Sequence, residues 1–362
     1  MLALVLVLLS ALILLTGCNG AETNEITPTG EEYFIVGFVY VSPIGGAGWT
    51  FIHDQGRQYL EANIPGVRTI YFESIPEGPD AERVMTELVQ RGAGVIFGTS
   101  FGYMDPMLNV AARFPEVVFM HCSGHQTADN LGTYFGKIYQ ARFLSGIAAG
   151  LRTETNRIGY VAAFPIPEVV RGINAFTLGV RSVNPDATVT VVWTNTWSDP
   201  SIEHSAAIGL IDMGVDVVTQ HQDTPAVMQA AEERGVWGIS YHSDMTAFAP
   251  NAVMTGPVWN WGPFYVEVVR SVMDGTWTSG QYWGPMADGI VGLAPFNENV
   301  MTTEMIGAVE IAKAKVIAGE LDIFAGPIID QGGQMRVLEG NTMTDEERLR
   351  FDWFVEGVIS NL

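Results

Sequence analysis

Only two cysteines, Cys18 and Cys122, occur in 362 residues. Cys18 falls in an N-terminal segment that reads as exported and processed, so Cys122 is left without an intramolecular disulfide partner. Cys122 ends the apolar run "VVFMHC" and is expected as a small buried hydrophobe. Basic residues are scarce as well: 18 Lys and Arg against 40 Asp and Glu leave a formal net charge of −22. Nucleic acids require a basic footprint to meet their phosphates, and this composition excludes them as partners. Neither a Walker loop nor a GxGxxG run opening a helix is present. His121 and His125 stand four apart in "HCSGH", but that stretch leaves a strand and offers no helical face, so no metal site or cofactor is expected. No paired acid and base stands out, which leaves only a residual case for catalysis.

What the chain has in quantity is apolar sequence, 48% of it, with 10% aromatics. The first residues, "MLALVLVLLSALILLTGCNG", form a run long enough to span a membrane. Small residues and a cysteine end it, and polar "NGAETNEITPTGEE" follows. This pattern predicts a secretory signal over residues 1–17, lipidation at Cys18 and a lipid-anchored linker over 18–32. No Lys or Arg precedes the run, so an uncleaved anchor is the alternative. Both readings place the folded part on the extracytoplasmic side of the cell membrane, periplasmic or outer.

From about residue 33 short β-rich runs alternate with amphipathic segments. "YFIVGFVYV" precedes "TFIHDQGRQYLEAN", "VRTIYFES" precedes "DAERVMTELVQRG", and "GVIFGTS" precedes "MDPMLNVAARF". Apolar strands alternating with helices imply βαβ units and a parallel sheet covered on both faces. At "NRIGYVAAF" the rhythm restarts. The expected fold is α/β, with two doubly wound, Rossmann-like lobes and a ligand cleft between them. Residues 33–152 with about 249–285 are assigned to the first lobe, and 153–248 with about 286–362 to the second.

Open α/β sheets bind ligands beyond the carboxyl ends of their strands. The loops at those ends are "SPIGGAGWT", "TSFGYMDP", "AFPIPE", "TNTWSDP", "QHQDTP", "YHSDM" and "PVWNWGP". They are far richer in aromatics than turns require. Trp49, Phe101, Tyr103, Trp197 and Trp259 are the candidate stacking rings, although Phe101 and Tyr103 are also candidates for the core. His221 or Gln222 is expected to hydrogen-bond a ligand, and strand alternation sets Gln222 opposite His221 and Asp223. Asp223 itself reads as a helix start. Asp244, with no following proline to explain it as a cap, is a candidate acceptor for ligand NH or OH groups. Asn260 both donates and accepts, which suits the edge of an amino-pyrimidine. Stacking rings with one Asp and one Asn point to a planar heteroaromatic ligand.

"FPIPEVVRGINAFTLGVRSVNP", "NTWSDP", "GVDVVTQHQD" and "VWNWGP" together resemble the basic membrane protein family, lipoprotein solute-binding components of ABC importers similar to purine nucleoside receptors. The resemblance runs from about residue 33 to the C-terminus. It implies a type I periplasmic-binding-protein fold with a hinge, a purine ligand, a membrane ABC permease as partner and a monomeric state. It further implies that Trp49 stacks on the base and Asp244 grips ribose hydroxyls. The family's first-loop aspartate is replaced here by Gly46, and its ribose-side lysine falls near Trp259. Exchanging that cation for an indole favours a free base such as adenine over a nucleoside. Alternatives are a ligand-binding sensor subunit of the same fold or an extracellular nucleoside-acting enzyme.

Overall fold

The computed structural model describes residues 33–360. The expected signal segment, Cys18 and the linker to residue 32 lie outside the described residues. The first half runs β1 (Phe34–Val39), α1 (Trp49–Asn63), β2 (Val67–Phe72), α2 (Pro79–Gln90), β3 (Ala93–Gly98), α3 (Met104–Arg113), β4 (Val118–Cys122) and β5 (Leu131–Gly136). After α4 (Tyr139–Arg152) the alternation resumes as β6 (Arg157–Ala162), α5 (Pro167–Val183), β7 (Thr188–Trp193), α6 (Pro200–Asp212), β8 (Val217–His221), α7 (Ala226–Arg234), β9 (Trp237–Ile239) and β10 (Val253–Thr255). The remainder is β11 (Pro257–Trp259), α8 (Gly262–Met273), β12 (Gln281–Gly284), β13 (Val291–Leu293), α9 (Thr303–Ile317), β14 (Ile328–Ile329), β15 (Met335–Val337), α10 (Asp345–Leu349) and β16 (Val358–Ile359).

Two six-stranded sheets result, ordered β12-β5-β4-β3-β1-β2 and β10-β9-β8-β6-β7-β16. Every pairing in both is parallel. Helices cover both faces, so the central strands are buried throughout, as in "VVTQH" of β8, and β-branched residues suit them. Helix starts follow local chemistry. Asp199 caps α6, its carboxylate accepting from the backbone N–H groups of Ser201 and Ile202 at 3.0 and 3.1 Å, with Pro200 at the first helical position. This is the cap that the "SDP" run predicts.

The chain passes between the sheets three times: from β5 to α4, from β10 through β11 to α8, and from β12 through β13 to α9. β11 and β13 pair antiparallel and carry two of these passages side by side. Two assignments differ from expectation. α4, expected to close the first lobe, packs on α5 and α9 of the second. Small residues on both helices allow the close approach: a Cβ added at Gly146 of α4 would overlap the backbone carbonyl of Phe176, and one at Gly179 of α5 that of Phe143. β10, placed by sequence in the first lobe, is the edge strand of the second sheet, whereas β12 joins the first.

Candidate ligand-binding site

Strand order reverses between β1 and β3 in the first sheet and between β6 and β8 in the second. Such switch points open a crevice at the strand carboxyl ends. Here the two crevices face one another around a cavity of only about 30 Å³, far below the ~300–1,000 Å³ usual for small-molecule sites, so a ligand needs the lobes further apart than they stand here. The first lobe lines it with Val41, Trp49, Thr99, Ser100, Phe101 and Ser123. Glu168, Trp197, His221, Asp223 and His242 line it from the second. A larger groove of about 560 Å³ lies among Arg336, Leu338, Glu347, Arg350 and Trp353. No residue of either six-stranded sheet lines that groove, so it lacks the convergent strand ends that make the interlobe cavity a site.

Aromatic rings enter from both lobes. Trp49 begins α1 and is held by its indole N–H, which donates to the Thr99 carbonyl at 2.6 Å. Phe101 sits at the rim, about a third exposed. Trp197 is half-buried, braced 5.0 Å from the Phe164 ring.

The polar side is built around two carboxyl groups. Glu168 lies in the first turn of α5, where the helix dipole favours an anion. One oxygen accepts from the Ser123 hydroxyl across the cleft, and the other lies 3.6 Å from Nε2 of His221. Burial pushes this carboxyl up, but the contacts with His221, Ser123 and Arg171 outweigh it and hold the group below the usual range. Burial drives His221 down to about 4, against the pull of Glu168. At neutral pH the pair is therefore a carboxylate beside a neutral imidazole.

His242 is oriented from behind. The Trp259 indole N–H donates to its Nδ1 at 3.0 Å, and an indole nitrogen can only donate. Nδ1 is thus the acceptor and Nε2 carries the proton; it lies 3.4 Å from Oδ1 of Asp223 without a hydrogen bond of its own. Burial, then His221, Arg142 and His53, hold His242 well below its ordinary value, consistent with that neutral form. Asp223 is pushed well above its ordinary value, first by burial and then by Glu203, Glu168 and Glu77. Ser123 and His242 adopt left-handed backbone, φ 66° and 69°, a strain that gathers at ligand sites.

Of the sequence-nominated residues, Trp49, Phe101, Trp197 and His221 line the cavity. Gln222 turns away as alternation requires, its amide donating to Thr194 Oγ1 at 2.5 Å. Tyr103 is core: it is fully buried and its hydroxyl donates to the Ile75 carbonyl. Asp244 does not reach the site. It is exposed and closes a local turn, accepting from Thr246 N–H and Oγ1, a capping role that needs no proline. Asn260 is also exposed, donating to the Gly289 carbonyl at 3.3 Å. Trp259 is 3% exposed and lies behind the wall, stacked 4.6 Å from Trp261.

Sequence reading passed over Glu168, Ser123 and His242 and took Asp223 only as a helix start. It also missed that Gly98-Thr99-Ser100-Phe101-Gly102 has the spacing of a nucleophile elbow. The geometry does not support that role. Ser100 is extended rather than strained, φ −136° and ψ 146°, and its hydroxyl donates to Glu77 at 2.6 Å. Nε2 of His121 meets the Ser100 carbonyl, not its hydroxyl.

A model of the PnrA-like ABC transporter substrate-binding proteins matches residues 34–324. A purine-binding protein of Brucella abortus (strain 2308) is 43% identical over 333 residues, covering 92% of this chain and 95% of its own. A protein of Haloferax volcanii, provisionally named an ABC transporter glucose-binding protein, is 44% identical over 314 residues, 85% of this chain and 80% of that one. Among solved structures, an ABC transporter solute-binding protein of Aeropyrum pernix K1 has a TM-score of 0.70 over 81% of this chain and 94% of its own, at 20% identity, a likeness of fold alone.

Proposed function

The chain belongs to the PnrA-like family of ABC transporter substrate-binding proteins, and we propose that it captures a purine, adenine before any nucleoside, between two closing lobes and presents it to an importer's permease. Membership of a solute-binding family places the folded part outside the cytoplasm. Within the same proposal, Cys18 carries the lipid that anchors a monomer to the membrane, and no bond of the ligand is made or broken.

The observation that carries the reading is a small cavity with Trp49 on one lobe and Trp197 on the other. Aromatic stacking on a base is worth about 1–3 kcal/mol per ring, so two walls would supply much of a micromolar affinity, about −8 kcal/mol. The lining holds no Lys, Arg, Asn or Gln, side chains that a ring of hydroxyls would call for. The purine-binding relative in Brucella abortus supports the same choice.

A hexose is the second reading, prompted by the name of the Haloferax volcanii relative. Thermal unfolding of the protein, refolded to strip carried ligand, separates the two when run with adenine, adenosine, guanosine and glucose. A ligand at a hundred times its Kd adds about 2.7 kcal/mol. Stabilisation by adenine is the expected result. Stabilisation by glucose with none from any purine overturns the proposal.

A further inference from the structure

Asp223 is the one carboxyl group in the cavity lining that has no hydroxyl or amide donor committed to it. Its side chain is 5% exposed, and Nε2 of His242 stands 3.4 Å from Oδ1, beyond a good hydrogen bond. Glu168, by contrast, is engaged by Ser123. The charged and titratable groups facing Asp223 are Glu203 on α6, Glu168 on α5, Glu77 on the first lobe and the neutral His242 after β9. All the charges are negative, and no Lys or Arg lines the cavity to balance a further one.

A buried carboxyl among carboxylates keeps its proton, because neither solvent nor a cation stabilises the anion. It then differs in kind from a carboxylate, which only accepts. A carboxylic acid presents one donor and one acceptor side by side in a plane. That pair complements a ring edge on which an unprotonated nitrogen stands next to an N–H. A sugar hydroxyl has no such edge. Nε2 of His242 stands 3.4 Å from Oδ1 and makes no hydrogen bond, so Oδ1 is the oxygen nearer an N–H and Oδ2 is the one free to carry the acid proton.

We propose that Asp223 binds as the un-ionised acid and reads an amidine-like edge of the ligand, donating to a ring nitrogen and accepting from the adjacent N–H. The assignment rests on the purine reading above and adds to it the residue that selects the ring chemistry. Burial is the first cause of the raised proton affinity of Asp223 noted above, with Glu203, Glu168 and Glu77 adding to it.

The test is titration calorimetry with adenine and with glucose on wild type, Asp223→Asn and Asp223→Ala, at about pH 6 and about pH 8.5. Asn offers the same paired donor and acceptor without a titratable proton. The expected result is that Asp223→Asn holds adenine within about threefold of wild type at both pH values. Asp223→Ala should lose about 10- to 100-fold, the cost of leaving a ligand edge unpaired. Equal losses in Asn and Ala overturn the assignment and leave the purine reading intact. So does full adenine affinity in Asp223→Ala. Wild type that binds glucose and no purine overturns both. Circular dichroism of each variant confirms that the fold is retained.

Discussion

Gly48 of the first lobe packs directly against the carbonyl oxygen of Asp223 in the second. A Cβ at Gly48 would overlap that oxygen, and φ of 95° already disfavours any side chain. Its N–H donates to Ser243 Oγ at 3.0 Å, again across the cleft. These contacts exist only with the lobes together. Gly48→Ala should therefore prevent full closure while leaving each lobe folded. The expected outcome is at least a tenfold loss of ligand affinity, with a larger radius of gyration by X-ray scattering at saturating ligand. A variant that binds and compacts like wild type would show that closure does not use this contact.

Trp197→Ala removes the second-lobe wall. Trp197 is half-buried and its ring packs on Phe164, so little of the lobe depends on it. Loss of one stacking face should weaken purine binding by about 1–3 kcal/mol, roughly 5- to 150-fold, with a modest change in Tm. Trp49→Ala is the less clean comparison, because its indole also ties Thr99 and its loss disturbs the β3 loop.

Much of this arrangement is legible in the sequence, and the failures have a common cause. Apolar strand runs alternating with amphipathic segments mark both lobes, and alternation along β8 correctly turns Gln222 away from His221. The strand-end loops that form the cavity are identifiable because they carry aromatics where turns need none. What a linear pattern does not contain is which residue of a loop turns inward. In "YHSDM" the carboxylate drew attention, yet the left-handed φ of 69° at His242 directs the imidazole into the cleft and Asp244 out to solvent. Glu168 was hidden because its partner, Ser123, lies 45 positions away on the other lobe. Likewise the small residues of α4 say that it packs tightly, not against which sheet.

Asp244→Ala should leave ligand affinity unchanged. The carboxylate is exposed and bonds only to Thr246, so its removal costs the turn and no ligand contact. About 0.5–2 kcal/mol of stability is the expected loss, the usual range for a side-chain cap. Asn260→Ala should behave similarly in binding. A tenfold loss of affinity in either would place that residue at the ligand after all, and calorimetry with adenine decides it.

Acid should destabilise the protein through its buried histidines. Burial holds His53 and His242 well below 6.5 and brings His121 and His221 down to about 4. In the unfolded chain each titrates near 6.5. Between the unfolded and folded values the unfolded state binds more protons, so stability falls as pH falls, by up to about 1.4 kcal/mol per pH unit for each histidine. For His121 and His221 that window runs from 6.5 to about 4. Glu168, whose folded value is depressed, adds a further loss as pH drops through the carboxylate range. Asp223 acts in the opposite direction: its raised value contributes stability at low pH that is lost as pH rises through it. Glu203, also raised by burial, acts with Asp223, but two carboxyls do not offset four imidazoles. Urea midpoints should therefore fall steeply from about pH 7 to about pH 5, and His121→Gln, which removes an imidazole that does not itself line the cavity, should flatten the slope by about one proton. A flat profile in wild type would mean that these imidazoles titrate as freely folded as unfolded, and that the cleft is wetter than its packing indicates.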